Sequence, residues 1–281
     1  MTAVPQLYPP AEASPFDRLV CAVDGTPASL EAARQACRLA PGRPLTLVCA
    51  LDTLEELDRP GEIPARSHHL RRVAEDIVEQ ARADLRRSGA VGVVEVAVEE
   101  GLLVDVLAFV TGGDVRTLLA LGSPRGSVPT PAHMAGVPDE QVLAQHERLG
   151  TVVRQAPCSV LVARRPRGPA AFPSVIAVGL DGSETSLRAY AVAIRLSDAT
   201  GAALRYVVAL GGKGVDMDTL QAVVPELPLS SVDQRSPVRA LVASDADLVV
   251  VGHRGLHGLR ALGSVGERVV ARSPASVLVV R

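Results

Sequence analysis

The chain has 281 residues, enough for two domains of ordinary size that each bury their own core. Apolar residues make up 47 % but aromatic ones only 2 %, so the core must be built from Ala, Val and Leu. A formal charge of −2 leaves no global basic footprint, which argues against nucleic acid as a partner. No apolar run approaches the roughly 20 residues of a membrane span.

Met1–Pro15 has no basic n-region and reads as a disordered tail rather than a secretory signal, so the expectation is a soluble, cytoplasmic protein. Arg18–Val23 reads as a buried strand ending at Asp24-Gly25-Thr26. A helix follows, with Leu30, Ala33, Cys37 and Ala40 on one face. Pro44–Leu51 is the second strand, and Leu54–Arg66, polar and proline-broken, reads as a loop. Ser67–Arg87 predicts a long amphipathic helix with Leu70, Val73, Ile77 and Ala81 as its buried stripe. Val93–Val98 and Thr117–Leu121 are further strands, separated by a short helix over Val104–Val110. Gly122–Gln145 is irregular. A helix through Val153 and a strand Ser159–Ala163 close the first unit, and Arg164–Pro173 has the composition of a linker. Cys21, Cys37, Cys49 and Cys158 lie in apolar periodic segments without CxxC spacing and read as buried, reduced thiols.

The second unit repeats the first. Val175–Ser183 echoes Leu19–Thr26, and the next helix shows Leu187, Tyr190, Ala191 and Ile194. Ala203–Leu210 matches Pro44–Leu51, and Ser273–Val279 matches Ala156–Val162. Landmarks in the same order make an internal duplication the economical reading. The expected fold is α/β, two tandem doubly wound parallel-sheet domains of Rossmann-like type, over 16–165 and 174–281 with a linker at 166–173. The second is truncated between its second and fourth strands, where the long helix shrinks to Met217–Val224. The apolar strands Val160–Ala163 and Val277–Val280 lie at domain ends, placed to pair within the chain as a pseudo-dimer or between chains as a homodimer.

Gly252–Val265, GHRGLHGLRALGSV, carries the strongest functional signal. It follows the strand Asp247–Val251; Gly252 and Gly255 permit a tight turn and a close approach to a ligand. Ser264, with Glu267 three positions on, forms a capping box for a helix through Arg272. Strand, glycine loop and helix N-terminus in that order make an anion site. In open α/β sheets ligands sit beyond the carboxyl ends of the strands, which gathers Gly179, Leu180, Asp181, Ala209 and this loop around one crevice. Asp181 is equally the chemistry of an Asp-Gly turn, Ser264 that of a plain helix cap, and Arg254 that of a solvated loop.

A strand ending in VVVG, a GxxG, a spacer, Gly-Ser-Val, a helix and Pro-Ala-Ser-Val-Leu-Val-Val together resemble the universal stress protein family, over nearly all of Phe16–Arg281. The resemblance implies ATP as the ligand, alone or with Mg²⁺. It implies Asp181 and Ala209 at the nucleoside end, and Gly252, His253, Arg254, Gly255, Gly263, Ser264 and Val265 around the ribose and phosphates, with Gly179 and Leu180 at the strand end. The spacer between Gly255 and Gly263 is shorter than in the family's ATP-binding pattern. In the first unit the GxxG becomes Gly122-Ser-Pro-Arg125, and His146-Glu147 stands where Gly263-Ser264 does. A carboxylate at that helix start repels phosphate, so the first unit is expected to have lost triphosphate binding.

His253 and His257 lack a third ligand or a general-base Glu at zinc-site spacing. Gly211–Gly214 lacks the Ser/Thr that follows a P-loop lysine. No GxSxG elbow or Cys/His dyad signature is present, so binding, sensing and signalling to a protein partner not identifiable from sequence are expected rather than catalysis. A slow ATPase or nucleotidyl-transferring relative, with Asp181 as its carboxylate, and a nucleotide-free dimerisation module are the alternatives.

Overall fold

The short apolar runs become the strands of one ten-stranded sheet. The computed structural model describes residues 14–51, 63–89, 94–123, 149–166, 172–211, 215–224, 227–228, 231–253 and 265–281. The first half supplies β1 (Arg18–Ala22), β2 (Leu45–Leu51), β3 (Val94–Glu100), β4 (Thr117–Gly122) and β5 (Ser159–Ala163). The second supplies β6 (Val175–Leu180), β7 (Ala203–Ala209), β8 (Val232–Asp233), β9 (Leu248–Gly252) and β10 (Ser276–Val280). Their order, β3-β2-β1-β4-β5-β10-β9-β6-β7-β8, reads the same from either edge once the halves are matched. Pairing is parallel within each half and antiparallel at the seam, where Val160, Leu161 and Val162 face Val279, Leu278 and Val277. Both seam strands are buried throughout, as strands covered on two faces must be. Of the two pairings left open by the sequence, the one within the chain is formed.

Helices cover both faces. On one lie α1 (Pro27–Leu39), α2 (Ile63–Arg87), α5 (Glu184–Thr200) and α6 (Met217–Val223). On the other lie α3 (Leu103–Thr111), α4 (residues 149–155), α7 (Pro237–Val242) and α8 (Val265–Arg272). Two apolar layers result, of Ala, Val and Leu with few larger side chains.

Two expectations about α2 are corrected, and residues at two expected boundaries are found packed. First, α2 begins at Ile63, inside the stretch read as a loop. Pro64 is its second residue, where the missing N–H of proline costs no helical bond. Second, the buried stripe of α2 is Ala74, Val78, Ala81 and Leu85, while Leu70 and Val73 are exposed. Ala81 belongs to both stripes and Ile77 packs half-buried against the same core, so the difference lies at Leu70 and Val73, which the sheet at β2 and β3 leaves outside. Third, Ser14, assigned to the tail, is docked: the Phe16 N–H donates to its Oγ at 3.2 Å, and Phe16 is buried. Fourth, Arg164 and Phe172, inside the linker by composition, are both buried. The truncated second half keeps remnants that the sequence did not announce. β8 pairs with β7 through only Val232 and Asp233, where β3 pairs with β2 over the whole of Val94–Glu100. Among the described residues no helix is long and apolar enough to cross a membrane.

Candidate functional site

The strand order reverses between β6 and β9, which is where the topology of an open α/β sheet calls for a ligand crevice. Pairing between these strands stops at Val178–Val250, two residues before either ends. Gly179 and Leu180 end β6 with Asp181 next in the chain, Gly252 ends β9 with His253 next, and Ala209 ends the neighbouring β7. Val265 begins α8. Arg254, Gly255, Gly263 and Ser264 lie outside the described residues, as do His146-Glu147, His257 and Lys213.

Asp181 organises the start of α5. Its Oδ1 accepts from the Ser183 N–H at 3.0 Å and the Ser183 hydroxyl at 2.5 Å. Ser183 in turn caps the helix by accepting from the Ser186 N–H at 3.3 Å. The same device recurs in the first half, where Asp24 Oδ1 accepts from the Thr26 N–H and hydroxyl and Thr26 caps α1. Turn and cap chemistry are therefore built at Asp181, as at Asp24. Gly182 between them has φ +81, and a Cβ there would stand 2.5 Å from the Asp216 carbonyl oxygen, so no other residue fits without strain.

Gly252 also meets a packing demand within its own half. A Cβ on it would stand 2.3 Å from the Thr185 carbonyl oxygen and 2.9 Å from the Ser186 nitrogen. The close approach it permits is that of β9 to the first turn of α5. Gly122, ending β4, does the same against Ala28 and Ser29 of α1, with 2.5 Å to the Ser29 nitrogen. Gly179 packs on Leu241 of α7, 3.2 Å from where its Cβ would lie.

His253 continues from β9 with its N–H donating to the Val280 carbonyl at 2.8 Å. Its Nδ1 lies 3.3 Å from Arg281 Nη1. Burial, reinforced by the Arg281 charge, pushes the imidazole pKa down to about 4, so the ring is neutral near neutral pH. Glu267 in the first turn of α8 stands 3.5 Å from Arg154 Nη1 of α4. Among the described residues no cluster of three His, Cys, Asp or Glu side chains is arranged for a metal ion.

Sequence reading missed the two arginines that follow the seam strands. The signal was present: Ser159-Val-Leu-Val-Ala-Arg164 and Ser276-Val-Leu-Val-Val-Arg281 are one motif written twice. Arg164 donates through Nη1 to Ser123 and through Nη2 to the Val270 carbonyl of α8. Arg281 donates through Nη2 to the carbonyls of Val153 at 2.9 Å and Arg154 at 2.8 Å in α4.

The model of the universal stress protein family matches residues 15–134 and 229–281. Among solved structures, the chain is similar to a universal stress protein from Archaeoglobus fulgidus DSM 4304. Identity is 17 %, 94 % of this chain and 96 % of the other are covered, and the TM-score is 0.66. A protein from Pseudomonas aeruginosa UCBPP-PA14 assigned to the universal stress proteins is likewise 17 % identical. It covers 94 % of this chain and 93 % of its own length, with a TM-score of 0.54. A shorter universal stress protein, solved in complex with cAMP, is 29 % identical over 40 % of this chain and 99 % of its own, with a TM-score of 0.29. No curated protein sequence matches the chain.

Proposed function

Because the chain belongs to the universal stress protein family, we propose that its second half binds an adenine nucleotide and acts by that binding rather than by catalysis. The ligand in this reading is ATP, alone or with Mg²⁺, in the crevice between β6 and β9. Asp181 and Ala209 meet the nucleoside end. Gly252, His253, Arg254, Gly255, Gly263, Ser264 and Val265 surround the ribose and phosphates, with Gly179 and Leu180 at the strand end. The observation that supports this best is the reversal of strand order at β6 and β9, with the N-terminal turn of α8 following the same strand. Occupancy then shifts the population of conformations or assemblies that a protein partner in the cytoplasm reads.

The binding reading rather than an enzymatic one is favoured by Asp181, the one carboxylate in the proposed set, whose Oδ1 is already held by both donors of Ser183. The first half, from 16 to 165, is the degenerate partner that binds no triphosphate. Calorimetric titration with ATP, ADP and cAMP, alongside chromatographic identification of any nucleotide that co-purifies, tests the reading. One adenine nucleotide per chain is the expected result. Two per chain overturn the degenerate-partner reading, and none overturns the site. Steady phosphate release that Asp181→Asn abolishes would replace the binding reading with an ATPase.

A further inference from the structure

Arg164 and Arg281 occupy matching positions, and each reaches across the seam between the halves. The Arg164 N–H donates to Ser276 Oγ at 2.9 Å, and the Arg281 N–H to Ser159 Oγ at 3.3 Å. Each guanidinium also donates to main-chain carbonyls near the end of the other half's last helix. Arg281, through His253, is bonded to a side chain at the candidate site. Its counterpart meets Ser123 in the half that is read as degenerate.

A guanidinium has donors and no acceptor. His253 Nδ1 must therefore accept from Arg281, which leaves the ring neutral and its proton on Nε2. The ring is thereby fixed as a hydrogen-bond donor at the mouth of the crevice, suited to an acceptor-rich ligand such as a ribose or phosphate oxygen. A second link runs beside it. Arg154, whose carbonyl Arg281 grips, reaches with its own Nη1 toward Glu267 in the first turn of α8. The first half thus touches both elements that border the second half's site: the end of β9 through Arg281 and His253, and α8 at its first turn through Arg154 and Glu267, while Arg164 holds α8 only near its far end, at Val270.

We infer that Arg281 is a positioning residue that couples ligand binding in the second half to its contact with α4 of the first. The inference rests on the nucleotide reading above and extends it: the half that binds nothing is part of the binding site's framework. Coupling is reciprocal. A ligand that accepts from His253 Nε2 tightens the seam at α4, and a seam that lacks Arg281 weakens the ligand.

The full chain, its Arg281→Gln variant and its Arg164→Gln variant test this with ATP as the probe. Three readouts are taken: ATP affinity by calorimetry, amide hydrogen exchange of residues 149–155 with and without ATP, and the imidazole ¹⁵N shifts of His253. In the unaltered chain ATP is expected to slow exchange over residues 149–155, and the shifts to assign the proton to Nε2. Arg281→Gln weakens ATP about tenfold or more, abolishes the ATP-dependent slowing and lets His253 sample both tautomers. Arg164→Gln speeds exchange at the seam but leaves ATP affinity within about twofold. Equal losses in the two variants make the clasp merely structural and overturn the inference, as does unchanged affinity in Arg281→Gln. If the unaltered chain binds no ATP, the nucleotide reading fails and the coupling falls with it. Should Arg281→Gln not fold, His253→Asn keeps an acceptor for Arg281 and removes the Nε2 donor. It is expected to weaken ATP and to lose the slowing over residues 149–155; retention of both overturns the inference.

Discussion

Ser276, the first residue of β10, donates its hydroxyl to Oε1 of Gln35 in α1, 2.7 Å away and in the opposite half of the molecule. Gln35 is completely buried, and its Nε2 donates to the Arg164 carbonyl at 2.6 Å and to Glu31 at 3.0 Å. One amide thus satisfies groups from β10, from the end of β5 and from its own helix. Replacing it with Ala or Leu removes the short bond to the Arg164 carbonyl, leaving that carbonyl to the longer 3.4 Å contact from the Ser276 hydroxyl, and takes from that hydroxyl its 2.7 Å acceptor in the buried seam. Each buried polar group so stranded costs about 1–3 kcal/mol. Gln35→Leu is therefore expected to lower stability by about 2 kcal/mol, read as a lower urea midpoint. An unchanged midpoint would show that water or a shifted side chain replaces the amide.

Gly122 and Gly252 make the same structural demand twice. Added Cβ atoms would meet backbone, which cannot rotate away, at 2.5 Å from Ser29 and 2.3 Å from Thr185. Gly122→Ala and Gly252→Ala are each expected to cost about 1–3 kcal/mol or more by forcing strand and helix apart. Thermal unfolding of the two variants checks this. A Gly252→Ala protein as stable as the original would mean that α5 has room to retreat, and the close packing at the site's floor would lose its significance.

The thiols are placed to be inert. Burial raises Cys21 far above the ordinary thiol range, raises Cys49, and pushes Cys37 and Cys158 up to about 11. Near pH 8 almost no thiolate is present for a reagent to attack. The native protein is expected to react slowly with a disulfide reagent, and the four thiols of the chain to react at once in denaturant. Cys37, half-buried on α1, is the first expected to be labelled if any is. Prompt reaction of the native form would indicate that α1 opens readily from the sheet.

The strands were legible because a buried parallel strand is a run of β-branched and leucine residues, and the duplication fixed their order. The stripe of α2 was less so. Leu70 and Val73 are exposed, whereas Ala74 and Val78 face the sheet with Ile77 half-buried against the same core, because what decides is the space above β2 and β3 and not the apolarity of the helix alone. Asp181 announced itself through the Asp-Gly dipeptide, which is local chemistry. Arg164 did not: its partners Ser123 and Val270 lie 41 and 106 positions away. Nothing in RRPRGPAAFP marks one of its arginines as buried. Gly252 stands out in the sequence as a glycine ending a strand, but the helix of the same half that its missing side chain makes room for is a tertiary fact.

His253 provides the pH signature of the seam. Unfolded, its imidazole takes up a proton near the ordinary value of 6.5; folded, with burial and the adjacent Arg281 opposing the charge, it does so only at about 4. Between these values the unfolded chain holds the extra proton, so acid favours unfolding. The contribution is fully present above 6.5, declines as pH falls from there to about 4, and adds no further slope below. Carboxylates as a class take up protons toward the lower end of the same window, so the wild-type curve alone does not isolate the ring. His253→Asn does, because it keeps an acceptor for Arg281 and removes the titration. The difference between the urea midpoints of the two proteins is expected to shift against the wild type as the solution is acidified through that window. A difference that stays constant would mean that the imidazole is protonated as readily in the fold as outside it, and that Arg281 does not donate to it.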